Sequence, residues 1–440
     1  MPGLLAVSCP KESSSGPEAP AATQRSMFRS PAIHGGPAGR DMSDKTSSPK
    51  TVGSAGNAHQ TITRRQLLRT LGAGAATLLA ASCSPKPTPG SAETTPSGET
   101  SHNVYFGDLH LHTSLSHQVD AFAAEFSRAS IDAANRYARD VVHHDFIAVT
   151  NHDWLLTDDM WQVEKDVADA FTEEGVFVSF PAFEWTASQP RGADCDPPRD
   201  DYPDWGHRNV YYRNTDVASL FRCVDPRYDS PTELFAALPK GDAFTVPHHT
   251  SAEGRSFDWS TFDGEYDRVV ELVQFTGIYE EDLVQNGWSQ GRVFGAVGGS
   301  DNHRGTVGGR GIAAVLASEL TREALFDALM ARRCFATTHG DVVLQFHGDE
   351  QLQGSVLSAR STIALSGDVE SRSGDVSLVE LVGNGAVVTA WEPHQGRTWG
   401  FEITREIDVL PSWYYVRTTL INGHQAWSSP IWVAEQGSSS

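Results

Sequence analysis

From residue 102 onward, short apolar runs alternate with amphipathic stretches. Residues 104–109 read as a strand. Residues 121–142 carry Ala, Phe, Ile, Tyr and Val at three- and four-residue spacing, the period of a helix with one buried face. Residues 145–150, centred on Phe146-Ile147-Ala148-Val149, are continuously apolar, as in a strand buried on both faces. A helix is predicted over 157–174, with Gly175 as its C-cap, then another buried strand over 176–183. Residues 186–206 break the rhythm: Gln189-Pro190, Asp196-Pro197-Pro198 and Tyr202-Pro203 mark a long loop. Strands follow over 209–213, 243–246, 269–275 and 293–297, with helices over 231–238, 280–290 and 321–332. The last helix has Thr321 at its N-cap and Glu323 in its first turn. This alternation argues for a parallel α/β sheet or barrel.

Near residue 340 the pattern changes. Residues 342–346, 361–366, 376–382, 386–390, 398–403, 413–420 and 426–433 are short strand-like runs parted by Gly, Asn, Asp and Pro, with no helix between them. This predicts a small antiparallel β-sandwich over 340–435. Its tryptophans (Trp391, Trp399, Trp413, Trp427, Trp432) suit core and edge packing better than a ligand platform.

The first hundred residues have a different character. Residues 1–60 are rich in Ser, Pro, Gly, Ala and Thr and show no apolar periodicity, so they read as disordered or as an over-extended gene start. Thr63-Arg64-Arg65-Gln66-Leu67-Leu68-Arg69 then precedes an apolar run at 71–81, too short for a membrane span. The order resembles a twin-arginine export signal over 61–83. Leu79-Ala80-Ala81-Ser82-Cys83 resembles a lipobox, with Cys83 as the lipidated first residue and Ala80 where leucine is usual. Cleavage to a soluble protein is the alternative. Residues 84–101 read as a flexible tether. The expected location is therefore periplasmic or cell-surface, with membrane attachment through Cys83.

At 440 residues the chain has room for two or three domains, and its formal charge of −22 leaves no basic nucleic-acid footprint. Cys195, Cys223 and Cys334 show no Cys-x-x-Cys spacing, which argues against a thiolate zinc site. Cys195 and Cys223 bracket the Pro- and Asp-rich insertion and are candidates for a disulfide after export.

The candidate chemistry starts at Gly107-Asp108-Leu109-His110-Leu111-His112-Thr113-Ser114-Leu115-Ser116-His117. On a strand, His110 and His112 share a face and can grip one ion. Further candidates follow or end short apolar runs: Asn151-His152-Asp153, Glu184, His207, His248-His249 and Asp301-Asn302-His303. In parallel α/β folds, sites are built at the C-terminal strand ends. Imidazoles mixed with carboxylates suit Zn²⁺, Mn²⁺ or Fe.

As a set, His110-Leu111-His112-Thr113, Thr150-Asn151-His152-Asp153, Glu184, His207, His248 and Asp301-Asn302-His303 resemble the PHP (polymerase and histidinol phosphatase) superfamily. Tyr105-Phe106-Gly107-Asp108-Leu109-His110 and Trp427-Ser428-Ser429-Pro430-Ile431-Trp432 look like a bacterial branch of it. The resemblance implies a distorted (β/α)7 barrel over 102–339, with two or three divalent ions. His110, His112, Glu184 and Asp301 would hold the first. Glu184 would bridge to a second, held also by His207 and His248. His117, His152 and His303 would hold a third. Three positions depart from the pattern: Asn151 replaces an aspartate, His117 stands where many members carry aspartate, and His249 stands in place of a proline. The last leaves His248 and His249 competing as ligands, with His248 favoured.

Arg304, His249 and Asp301 are the candidate catalytic residues; Arg304 can pair with a phosphate oxygen or cap a nearby carboxylate. Asp153 and Glu271 are candidates for orienting ligand histidines. The Gly305–Gly311 loop offers backbone N–H groups to an anion. The expected function is an exported phosphoesterase acting on a small-molecule phosphoester through a hydroxide shared by two ions. The alternatives are an amidohydrolase-like hydrolase acting on a carbonyl or C–N bond, and a non-catalytic metal-binding lipoprotein.

Overall fold

Phe146, Ile147, Ala148 and Val149 are all buried, and alternate members pack into two different cores. They form one strand of a computed structural model that describes residues 102–113, 128–188, 191–195, 197–250, 257–280, 284–307, 309–393 and 395–435. The leader, lipobox, tether and His117 lie outside these residues, and so does most of the first half of the predicted 121–142 helix. No described helix is long and apolar enough to cross a membrane.

The first half of the chain runs β1 (Asn103–Leu111), α1 (Arg128–Arg136, continuing as π-helical turns through Val142), β2 (Phe146–Val149), α2 (Asp158–Phe171), β3 (Val178–Phe180) and β4 (Ala182–Ala187). There follow β5 (Gly206–Tyr212), α3 (Pro231–Ala237), β6 (Ala243–His248), β7 (Val269–Gln274), β8 (Gly277–Ile278), α4 (Gln285–Ser289), β9 (Gly295–Gly298), β10 (Ile312–Ala317), α5 (Arg322–Met330) and β11 (Cys334–Thr337). Helix α2 starts as predicted, with Thr157 Oγ1 accepting from the Met160 N–H at 3.3 Å. It stops at Phe171, before Gly175. Thr172 Oγ1 there donates to Ala168 O at 2.8 Å and accepts from Ser179 N at 3.1 Å, tying the helix end to β3. Gly175, at φ 74°, sits in the turn beyond.

The fold is mixed α/β and strand-rich, in several sheets, and the described strands do not close into a barrel. β1, β2 and β3 are parallel, but β1 pairs on its other side with β10, antiparallel. β4, β5 and β6 form a separate antiparallel sheet, while β7 pairs parallel with β9 and antiparallel with β8. Single bridges span the seams: Leu111 to Asn302, His152 to Glu184 and Thr245 to Asp267. The expectation of a continuous parallel ring fails for two local reasons. Pro181, which has no N–H to donate, separates β3 from β4. The long loop after β4 returns β5 antiparallel to it.

The remaining strands are β12 (Val342–Gly348), β13 (Gln351–Leu352), β14 (Val356–Ser358), β15 (Thr362–Ser371), β16 (Val376–Gly383), β17 (Ala386–Trp391), β18 (Thr398–Glu406), β19 (Ser412–Leu420), β20 (Gln425–Ser428) and β21 (Ile431–Ala434). Hydrogen bonding crosses the residue-340 boundary, because β11 pairs with β20 and so joins β19 and β21 to the sheet of β1. The sheet β13-β12-β15-β18 shares a core with β16, β19 and β21. Strand β10 belongs to both halves. Ile312, Ala314 and Leu316 enter that core, and Ala313, Val315 and Ala317 enter the one beneath α5. Full burial contributes roughly 1.5–3 kcal/mol for each large side chain of this kind, so the middle layer anchors both halves.

Candidate metal centre

Three strands of one sheet set half of the site. In the register of β4, β5 and β6, Thr186 opposes His207, which opposes His248, and Glu184 opposes Asn209. Residues opposed across strands, and residues two apart along one, share a face. Glu184, Thr186, His207, Asn209 and His248 therefore all project to one side. Because β5 is antiparallel, His207 lies at its N-terminal end; it reaches the site from the opposite direction to a C-terminal strand end. His110 and His112 come from the end of β1, His152 follows β2, and Asp301 and His303 follow β9. Asp301 adopts φ 46°, an uncommon left-handed conformation for a residue with a side chain.

Glu184 is the centre of the cluster. Its Oε2 lies 3.0 Å from His112 Nε2, 3.5 Å from His110 Nε2 and 3.2 Å from His152 Nδ1. Its Oε1 lies 2.7 Å from His207 Nδ1 and 3.3 Å from His248 Nε2. One carboxylate thus faces two sets of imidazoles, one through each oxygen. Asp301 Oδ1 adds contacts of 3.4 Å to His110 Nε2 and 3.2 Å to His112 Nε2, and the two histidine nitrogens are 3.1 Å apart. Four ligands held about 2.0–2.1 Å from one ion in a tetrahedron are about 3.3 Å from one another. The separations around His110, His112, Glu184 and Asp301 match that spacing. The donor set fits a divalent ion on a second ground. His207 Nδ1 and His248 Nε2 are buried and have no well-directed hydrogen-bond partner, as Glu184 Oε1 lies off their bonding axes.

Other residues set which nitrogen faces the centre. Glu271 Oε1 lies 2.8 Å from His110 Nδ1, so a proton held there leaves Nε2 as the ligand atom. Gln274 Nε2 donates to Glu271 Oε2 at 2.9 Å, and Gln274 Oε1 lies 3.1 Å from His249 Nδ1. Val246 O lies 3.2 Å from His248 Nδ1, and Ser188 Oγ lies 2.7 Å from His207 Nε2. Both His248 and His249 therefore turn Nε2 inward. His207, His248 and His249 group closely enough to hold one ion, as do His112, His152 and His303.

The electrostatics follow from burial. Burial pulls the His110 imidazole down, but Glu271 and Asp301 outweigh it and leave it well above its ordinary range; Asp301 and Glu184 likewise raise His112. Burial lowers His152 to about 4 and His303 to about 3, and also lowers His207 and His249. Burial opposes ionisation of Glu184 and Asp301, yet the surrounding histidines hold both carboxylates well below the usual range. His152, His207, His249 and His303 are therefore neutral beside ionised carboxylates, the state that metal ligation requires, whereas His110 and His112 hold protons that an ion would displace.

All the expected ligands gather here except His117, which lies outside the described residues. Glu271 sits on a ligand histidine. Asp153 does not: it accepts from the backbone N–H groups of Thr186 (2.9 Å) and Cys223, so it holds the insertion against β4. Asn151 turns away from the cluster, accepting from Thr113 N (2.8 Å) and donating to Glu164 Oε1 (2.6 Å). Arg304 is exposed beside His303, and no capping contact with Asp301 is present among the described residues. Cys195 and Cys223 are both reduced. The sequence reading missed Gln274, Ser188, Thr186 and Asn209. Thr186 and Asn209 carried one signal, strand alternation with Glu184 and His207, which becomes useful once the register is known; Gln274 carried none.

Residues 99–145 and 277–371 match the family model described as a protein of unknown function (DUF3604). An uncharacterised protein of Chlamydia pneumoniae is 25% identical over 387 residues, covering 76% of this chain and 58% of that protein. One from Chlamydia trachomatis is 23% identical over 389 residues with the same coverage. The chain thus spans 58% of the length of these relatives. Among solved structures, a two-domain protein from Bacteroides vulgatus containing a predicted PHP-like metal-dependent phosphoesterase aligns with 78% of this chain and 100% of its own, at a TM-score of 0.40 and 12% identity.

Proposed function

We propose that this chain is a metal-dependent phosphoesterase that acts on a small phosphoester outside the cytoplasm. The observation that carries the reading is Glu184, one carboxylate shared between two sets of buried imidazoles, with Asp301 completing the tetrahedral spacing around His110 and His112. The resemblance of the dispersed ligand set to PHP proteins supports the choice of phosphoester over other hydrolysable bonds. Divalent ions held by His110, His112, Glu184 and Asp301, and by His207 and His248, would supply Lewis-acid activation of the ester and of water. The protein residues position and tune. Glu271 and Gln274 fix the tautomers of His110 and His249, Ser188 fixes His207, and Thr186 braces His152 at 2.7 Å. Arg304, exposed next to His303 in the chain, would pair with a phosphate oxygen. The twin-arginine-like leader supports export, and Cys83 supports lipid attachment.

The test is elemental analysis of the purified chain together with turnover of p-nitrophenyl phosphate and bis-p-nitrophenyl phosphate in Mn²⁺, Zn²⁺ and Fe²⁺. Turnover of either ester that disappears in Glu184→Ala is the expected result. A fully metal-loaded protein inert toward both esters would overturn the phosphoesterase reading.

A further inference from the structure

Strands β7 and β9 run parallel, with the metal cluster toward their C-terminal ends. At their other end lies an open cleft of about 910 Å³. Three arginines line it: Arg268 just before β7, Arg292 before β9, and Arg332 just after α5. On a chain of net charge −22, such a gathering needs an explanation.

Arg268 has a structural one. Its Nε and Nη2 donate to Met330 O at 2.9 and 2.7 Å, and Nη1 donates to Gly264 O at 2.8 Å, so it caps the C-terminal end of α5. Arg292 is half tied down: Nη2 donates to Trp259 O at 2.8 Å and Nη1 to Gln290. Arg332 is different. Only its Nε has a hydrogen-bond partner among the described residues, Gly354 O at 3.0 Å, and both terminal nitrogens are left without one. It stands at φ 60°, the left-handed position that closes a helix and that glycine takes most readily. A long cationic side chain occupies a place where the backbone favours none.

Of the acidic groups in the cleft, Glu265 acts on Arg268, and none is paired with Arg292 or Arg332 among the described residues. Glu265 Oε1 pairs with Lys240 Nζ at 2.5 Å. Asp263 Oδ1 accepts from the backbone N–H groups of Glu265 and Tyr266 at 2.8 and 3.3 Å. Burial, and then Arg268 nearby, push the Arg332 guanidinium down to about 10, as for a cation short of a counter-charge.

We propose that this cleft binds a phosphate-bearing small molecule, gripped by the terminal nitrogens of Arg332 with Arg292 beside it. A guanidinium presents paired donors that match phosphate oxygens, and a volume near 900 Å³ takes more than one phosphate group. The site is separate from the metal centre and does not depend on its function.

Calorimetric titration of the full metal-loaded chain with inorganic phosphate and with tripolyphosphate tests this. Arg332→Gly should weaken binding about tenfold or more; glycine adopts the positive φ freely, which offsets part of the loss of the bond to Gly354 O and of the contact over the Trp432 ring. His207→Ala, at the metal centre, should retain the binding. A preference for inorganic phosphate marks a ligand of product type, and a preference for tripolyphosphate marks a polyphosphorylated one. Binding of neither probe, or equal binding by wild type and Arg332→Gly, overturns the proposal. So does loss in His207→Ala alone. If Arg332→Gly fails to fold, Arg292→Gln reads the same cleft with the same expected loss.

Discussion

Glu271 Oε1 lies 2.8 Å from His110 Nδ1, with both residues fully buried. The contact joins a residue in the middle of β7 to a ligand on β1, and Gln274 extends it to His249. Replacing Glu271 with Gln removes the charge that supports the ligand, while the amide oxygen can still accept from His110 Nδ1. Metal affinity should fall about 10–100-fold, read by chelator competition, and metal-free protein should melt lower near neutral pH because buried His110 loses its counter-charge. Unchanged affinity would show that Glu271 does not tune the site.

Gly299 is required by the same contact. A Cβ there would lie 2.3 Å from Glu271 Oε1 and 2.6 Å from His110 Cβ. Gly299→Ala should therefore reduce metal content without altering any ligand. Full occupancy by elemental analysis in this variant would contradict the packing.

Removing the metal should change the pH dependence of stability. In the metal-free chain, His110 and His112 have raised values, so their contribution is complete below about 6.5 and fades as pH rises through the raised range. Glu184 and Asp301 are lowered, so theirs is complete above the ordinary carboxylate range and fades in acid. His152, His207, His249 and His303 are lowered, so their contribution is lost as pH falls below about 6.5. Chelator-treated protein should accordingly melt highest at about pH 6.5 and lose stability on either side. The loaded protein should hold its melting temperature into mildly alkaline solution.

Glu164 adds a separate slope. It is buried behind Asn151, and burial raises its carboxyl to about 8. A raised carboxyl costs nothing below its ordinary value and destabilises progressively as pH climbs toward 8. Glu164→Gln keeps an acceptor for Asn151 and removes the titration. It should melt several degrees above wild type at pH 9 and nearly equal it at pH 5.

Arg208 and Asp267, both fully buried, pair at 3.4 Å beneath β5 and β6. Asp267→Ala leaves a buried guanidinium without its counter-charge, which should cost about 3–5 kcal/mol in urea unfolding. A loss below about 1 kcal/mol would mean that water reaches Arg208.

Much of this protein was legible along the chain. Continuous apolar runs located β2, β3, β6 and β7, and Thr157 and Thr321 marked helix starts, because burial on both faces and capping leave local traces. The histidine steps at residues 110–112, 152, 248 and 303 were visible because ligation demands particular side chains. Strands β10 and β11 were missed. Ile312–Ala317 is apolar throughout, and a short run of that kind has no period to distinguish it. Yet β10 is the layer where the two halves meet.

By itself the sequence determined the inventory: which segments must be buried, which helices begin where, and which imidazoles and carboxylates are available. Only the tertiary structure decided the assembly. Local pattern carries no information on pairing partners, so it could not show that β5 returns antiparallel and brings His207 in from the other side. Nor could it show that Asn151 turns away toward Glu164, that Gln274 supports His249, or that three arginines distant in sequence share one cleft. Each of these depends on contacts between residues far apart along the chain, and register and packing alone bring them together.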